Sequence, residues 1–409
     1  MDAFRLAGVA ATVALALGVA ACGSDDSGGS SGKASSSKGG DPIKVGYVVS
    51  KTGPAAADAN SDVVGAQLAA KEINDAGGVD GHKIEITVRD DKTDPTTATR
   101  EARDLALSGN VNILAGATVT AIGAAIKEVA NATKVPYLIS TANGASLTEV
   151  DPSPYVFRAW SNSRVMPGPV ADYASKQPWK KYVLVTGNND FGKSISDNFK
   201  SYVQAKNPNA QFVKQILVEQ GATDYSAAIN QLRSIKPDAV FLGGVFGASF
   251  IAFAKAAVPA GIYDDAHVMG FMGNADLDAV GSLVPAGKQI GYNAYYNTYD
   301  DPFTKEFDEK IKAVTGKPSD GSNFVGYMTV KWIAEAVKRG GGTSREQILK
   351  GLSGASMDTL IGDVTIRPGD HEATGSYFYG IVDKGADGKP AFTQVGTAPG
   401  TDFLPPDKG

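Results

Sequence analysis

The chain has 409 residues, with 39 Lys and Arg against 44 Asp and Glu and a formal net charge of −5. No basic block interrupts it, which argues against a nucleic-acid partner. Cys22 is the single cysteine, so there is no internal disulfide and no thiol elsewhere for catalysis or metal binding.

The first 22 residues read as an export signal. Arg5 precedes an apolar run from Leu6 to Ala21, about 16 residues against the roughly 20 that a membrane-spanning helix needs. The run ends in Val19-Ala20-Ala21-Cys22, small residues directly before a cysteine, which resembles the bacterial lipobox. Segment 1–21 is therefore expected to be a lipoprotein signal peptide, with Cys22 the lipidated mature N-terminus. Residues 22–40 hold no apolar cluster that could offset the entropy of ordering them, so they are expected to be a flexible tether. The match to G-x-S-x-G at residues 28–32 falls in this tether, away from any strand or helix, and carries no catalytic meaning.

From about residue 41, apolar β-rich runs recur at 43–49, 84–88, 111–115 and 135–139. Helical patterns separate them: Val64, Leu68, Ala69 and Ile73 before Gly77-Gly78, then Asp94-Pro95 opening a helix to about Leu107, then Thr120 to about Ala130. The rhythm repeats, with strands at 182–186, 212–218, 239–242 and 268–270 and helices near 193–204, 225–234 and 249–257. Strands alternating with helices predict parallel sheets, hence two α/β lobes. The remainder holds one convincing helix, 323–339, and β-like segments at 359–366 and 377–382, and is expected to cross back and complete both lobes. The expected N-terminal lobe is 41–160 plus 293–375, and the C-terminal lobe is 161–292 plus 376–409. Three crossings predict hinge closure on a ligand.

Ligands of open parallel sheets lie at the carboxyl ends of the strands. Helix N-termini there supply free N–H groups and positive dipole ends, which suit a carboxylate. No enzyme site emerges: His82, His267 and His371 are far apart without metal spacing, and Asp90-Asp91 reads as a solvated strand end. Neither a cofactor nor a metal is expected.

An ordered series of motifs then points to a family. It runs through Thr52-Gly53-Pro54, Gly65-Ala66, residues 73–81 (INDAGGVDG), Asp90-Asp91, Asp94-Pro95, Gly116-Ala117-Thr118, residues 136–140 (PYLIS), Phe157-Arg158, residues 189–192 (NDFG), Asp224-Tyr225, Gly243-Gly244 and residues 362–366 (GDVTI). The series resembles the leucine/isoleucine/valine-binding proteins, with the type I periplasmic binding fold. The resemblance implies a monomeric solute-binding lipoprotein at the outer face of the bacterial cytoplasmic membrane. Such a protein hands a small carboxylate-bearing ligand to ABC permease subunits without doing chemistry. A sensory or regulatory receptor of the same fold is the alternative.

The resemblance also implies a pocket. Thr120, with Thr118 and Val119, falls where the family binds the ligand carboxylate. Thr141 and Asn143 fall near the ligand ammonium, and Phe191 falls where an aromatic closes over the ligand. Met272 stands where amino-acid binders carry an acidic partner for the ammonium, and Asp58 stands in a loop from which it could supply that charge instead. If it does not, an apolar or aromatic acid fits Met272, Phe191 and Phe246 better than leucine. Arg367, Asp370 and His371 resemble an element of a branch whose ligands are often not α-amino acids.

Overall fold

A computed structural model describes residues 40–407. The first five strands, β1 (Gly40–Val49), β2 (His82–Asp90), β3 (Ile113–Gly116), β4 (Tyr137–Ile139) and β5 (Val156–Arg158), form one sheet in the order β2-β1-β3-β4-β5, every pair parallel. Five further strands build most of a second sheet: β6 (Lys181–Gly187), β7 (Gln211–Val218), β8 (Ala239–Gly243), β9 (His267–Phe271) and β10 (Gln289–Asn293). The hairpin-like β11 (Ser356–Thr359) and β12 (Gly362–Thr365) stand apart, whereas β13 (Phe378–Lys384) and β14 (Pro390–Thr397) join the second sheet. Its order is β14-β13-β10-β9-β8-β6-β7. The parallel plan expected from the sequence holds except at this edge, where β13 runs antiparallel to β10 and to β14. Central strands covered by helices on both faces need apolar residues at every position, and β3 and β8 are buried throughout.

Helices start where the sequence supplies caps. Asp94 accepts from Thr97 N–H ahead of the Pro95–Leu107 helix, Asn189 from Gly192 N–H ahead of Asp190–Lys206, and Asp320 from Asn323 N–H ahead of Gly321–Gly340. The last of these packs on Ala56–Asp75, the helix after β1. Two glycines set that contact: a Cβ on Gly65 would lie 1.8 Å from the Asn323 carbonyl oxygen, and one on Gly326 would lie 2.0 Å from that of Asp62. Residues far apart in sequence thus complete the first lobe.

Residues 293–407 hold more than the single helix expected. Pro302–Thr315 and Arg345–Leu352 are also helical. Asp301 caps the former with Pro at its start, and Ser344 with Gln347 forms a capping box on the latter. Asp91 also departs from its reading as a solvated acid. It is fully buried, accepts from Ser50 Oγ at 2.6 Å and from Thr93 N–H at 2.8 Å, and is lifted by enclosure. Its role is to tie the loops after β1 and β2 together.

The chain passes from the first-sheet region to the second after β5, leaves it after β10 and returns before β13. Trp160 in the first passage donates to the Ser376 carbonyl in the third at 2.7 Å, and Trp332 donates to the Ala159 carbonyl at 2.7 Å. Both indoles are buried, so each N–H has the partner that burial demands.

Candidate functional site

The carboxyl ends of β1, β3 and β4 carry the first wall of the site. Gly116 (φ 107°) and Ala117 (φ 70°) turn the chain sharply out of β3. Only glycine fits at 116, since a Cβ would lie 2.3 Å from the Val48 carbonyl oxygen. The turn leads into the Thr120–Thr133 helix, whose extended N-cap residue, Val119, gives it no side-chain cap. The Thr118 hydroxyl is buried without a hydrogen-bond partner. An uncapped helix start beside an unsatisfied hydroxyl presents donors to an anion.

After β4, Thr141 donates to the Ala117 carbonyl at 3.2 Å, and the Asn143 carbonyl accepts from Ser163 N–H at 2.6 Å. Gly144 lets this loop close on Thr120: a Cβ there would lie 2.4 Å from Thr120 Cγ2. Thr118, Val119, Thr120, Thr141 and Asn143 are all partly exposed; Thr120 is the first residue of the Thr120–Thr133 helix, and the others lie in the loops after β3 and β4.

The second lobe contributes aromatic rings. Phe191 meets Phe246 edge-on at 6.4 Å between centroids, and Phe246 meets Phe271 at 6.5 Å. Phe246 is 39 % exposed. Met272 does not join this surface. Its side chain is fully buried and leaves no face for a ligand, while its carbonyl accepts from the Tyr296 hydroxyl at 3.0 Å.

Acidic groups gather where the lobes meet. Asp58 lies on the Ala56–Asp75 helix, Asp276 on the second-lobe helix Asn274–Val280, and Asp320 at the cap of Gly321–Gly340. Enclosure by protein, then the charges of Asp320 and Asp276, lift the Asp58 carboxyl to about 6. The Asp58 side chain nevertheless stays open to water. Enclosure also lifts Asp276 to about 6, against the pull of the bond from Gly273 N–H, and raises Asp320. Behind them, fully buried Asp62 accepts from Tyr47 at 3.0 Å and from Ser140 at 2.6 Å and is lifted to about 7, mainly by burial. Among the described residues, no Lys or Arg pairs with Asp58, Asp276 or Asp320.

Sequence reasoning singled out Asp58 but missed Asp276, Asp320 and Phe271. Asp276 is four residues beyond Met272, in the first turn of the helix that follows, and Asp320 reads in sequence only as an N-cap. The Cys22 assignment lies outside the described residues. The Arg367–Asp370 pair sits on the third passage, where Arg367 also donates to the Pro405 carbonyl at 2.5 Å.

Comparison with known proteins fits this architecture. The family model for periplasmic binding proteins matches residues 42–388. Leu/Ile/Val-binding protein homolog 3 of Brucella melitensis is 26 % identical over 330 residues, which cover 79 % of this chain and 86 % of the relative. A solute-binding protein of an ABC transporter from Rhodopseudomonas palustris, solved with 3,4-dihydroxybenzoic acid, superposes with a TM-score of 0.76 at 23 % identity, covering 88 % of this chain and 98 % of that one. A branched-chain amino acid transporter substrate-binding protein from Streptococcus pneumoniae, solved with isoleucine, gives 0.75 at 22 %, covering 88 % and 99 %. The two α/β sheets are those of the type I periplasmic binding fold, and with a family model spanning most of its length the chain belongs to the periplasmic binding proteins.

Proposed function

We propose that this protein is the solute receptor of an ABC importer, tethered outside the cell by lipid on Cys22, and that it captures an α-amino acid with an apolar or aromatic side chain. The lobes are 41–160 with 293–375, and 161–292 with 376–409. Thr118, Thr120 and the helix start at Val119 hold the carboxylate, with Thr141 and Asn143 beside it. Asp58, Asp276 and Asp320 hold the ammonium, and Phe191, Phe246 and Phe271 face the side chain. The observation that carries this reading is the acidic cluster without a cationic partner. A cation entering there compensates charges that the fold leaves uncompensated, whereas a ligand bearing only a carboxylate adds to the repulsion.

The aromatic trio supports a second reading, an aromatic acid without an amino group. Calorimetric titration separates the two. L-phenylalanine and L-leucine are expected to bind, and 3-phenylpropionate and 4-methylpentanoate to bind at least tenfold more weakly. The reverse order overturns the amino-acid reading. For the anchor, Cys22→Ser is expected to release the protein into the medium or to leave it unprocessed. A variant that stays membrane-bound and is cut at the same bond overturns the lipid anchor.

A further inference from the structure

Arg158, the last residue of β5, is fully buried, and so is Glu372 in the third passage; the two pair through Arg158 Nε at 3.0 Å. The rest of the guanidinium is used on the loop after β4. Its Nη1 donates to the Ala142 carbonyl at 2.6 Å and its Nη2 to the Gly144 carbonyl at 2.9 Å. These carbonyls flank Asn143. A planar fork with its donors fixed in one plane holds two carbonyls in a way a flexible ammonium does not.

Glu372 is itself held. It accepts from Thr148 Oγ1, and its N–H donates to Asp370 Oδ1 at 3.2 Å. The preceding residue, His371, stacks on Phe157 at 3.8 Å between centroids and takes a left-handed backbone (φ 58°), from which its carbonyl accepts from Arg158 N–H at 3.1 Å. On the other side, Ser163 of the first passage grips the loop twice. Its N–H donates to the Asn143 carbonyl at 2.6 Å, and its Oγ accepts from Ala145 N–H at 3.1 Å.

Resting on the receptor reading above, we infer that Arg158 is a positioning residue of the ligand site. Clamped by Glu372, it sets the geometry of the 141–145 loop and ties that loop to two of the passages that join the lobes. Arg158 Nε and Glu372 Oε2 face each other by charge and make no hydrogen bond, so the guanidinium's short hydrogen bonds, from Nη1 and Nη2, go to the loop. Arg158 touches no ligand; it acts through the carbonyls of Ala142 and Gly144.

Hydrogen–deuterium exchange of the ligand-free full chain tests this, with Arg158→Lys and Glu372→Gln as variants. Arg158→Lys keeps the charge and loses the fork; Glu372→Gln keeps the shape and loses the charge. In both, exchange across residues 141–149 is expected to accelerate at least tenfold, while β3 and β8 keep wild-type protection. The dissociation constant for L-phenylalanine should rise at least tenfold. Loop protection within twofold of wild type in both variants overturns the inference. So does acceleration that is uniform over the chain in both, since that marks general stability and not positioning. If Arg158→Lys does not fold, Glu372→Gln decides alone by the same criteria, and an unfolded Glu372→Gln as well counts against the inference. If wild type binds no L-phenylalanine, the proposed ligand class fails while the exchange comparison still decides the role of Arg158.

Discussion

Asp58 on a first-lobe helix and Asp276 on a second-lobe helix stand close enough for the charge of Asp276 to help lift the Asp58 carboxyl to about 6. Like charges brought together across two lobes oppose their approach. On the proposed reading, a ligand ammonium between them reverses the sign of that term and favours closure.

The first consequence is a pH dependence of binding. Asp58 and Asp276, both at about 6, bind an ammonium as carboxylates and lose that ability as they protonate. Affinity for L-phenylalanine is expected to rise from pH 5 to pH 7 and to level off above about pH 7.5, with binding at pH 5 at least tenfold weaker. Binding should also release protons near pH 6. Calorimetry in two buffers of different ionisation enthalpy measures both. Affinity that is flat, or stronger at pH 5, takes the acids out of the ligand site.

Asp276→Asn separates charge from structure. The Gly273 N–H that Asp276 accepts at 3.0 Å can still be accepted by an amide oxygen, so the helix start is kept. Amino-acid affinity should fall at least tenfold, about 1.4 kcal/mol. The Asp58 carboxyl should move down, because one of the charges lifting it is gone. NMR titration of Asp58 checks the shift, and an unmoved Asp58 shows that the two residues are uncoupled.

Much of this fold was legible in sequence because parallel strands buried on both faces leave unbroken apolar runs, as at β3 and β8. Caps did the same for helix starts such as Asp94-Pro95. An identical signal stands at Asp301-Pro302, followed by Phe303, Phe307 and Ile311 at helical spacing, and it opens the Pro302–Thr315 helix. The acidic cluster was not legible. Asp58, Asp276 and Asp320 come from three separate helices, and only tertiary packing through the Gly65 and Gly326 contacts brings the first and last of them near each other. Met272 failed for a related reason: local correspondence placed it at the ligand, while the packing of Tyr296 and Phe392 behind β10 turned it into the core.

Asp62 makes a stability prediction. Its folded value of about 7 is above the usual 3.8, so the fold favours the protonated form. The sign follows: wild type is most stable below about pH 4 with respect to this group and loses that stability as pH rises through 7. Asn mimics the protonated carboxyl and can still accept from Tyr47 and Ser140. Asp62→Asn is expected to stabilise the protein at pH 8 by on the order of 3 kcal/mol, with the advantage shrinking towards pH 4. Urea unfolding at pH 8 and pH 4.5 measures the difference. A variant less stable than wild type at pH 8 shows that Tyr47 and Ser140 need the ionised acceptor.

Gly144 and Thr120 should behave as one unit. A Cβ on residue 144 would sit 2.4 Å from Thr120 Cγ2, 2.6 Å from its Oγ1 and 3.0 Å from its Cβ, so no rotamer of Thr120 relieves the contact. Either the loop after β4 or the start of the Thr120–Thr133 helix must move, and both carry the carboxylate-binding groups of the proposed site. Gly144→Ala is therefore expected to weaken L-phenylalanine binding by about 1–3 kcal/mol, in the range of overpacking costs. Thr120→Ala alone removes one hydrogen bond to a charged group, about 1.5–3 kcal/mol. In the double variant the overlap with Cγ2 and Oγ1 is gone, so the effects should fall short of additive by at least about 0.5 kcal/mol, the coupling expected of residues in contact. Calorimetry on the four proteins closes the cycle. Strictly additive losses would show that the two loops do not share a geometry at the ligand.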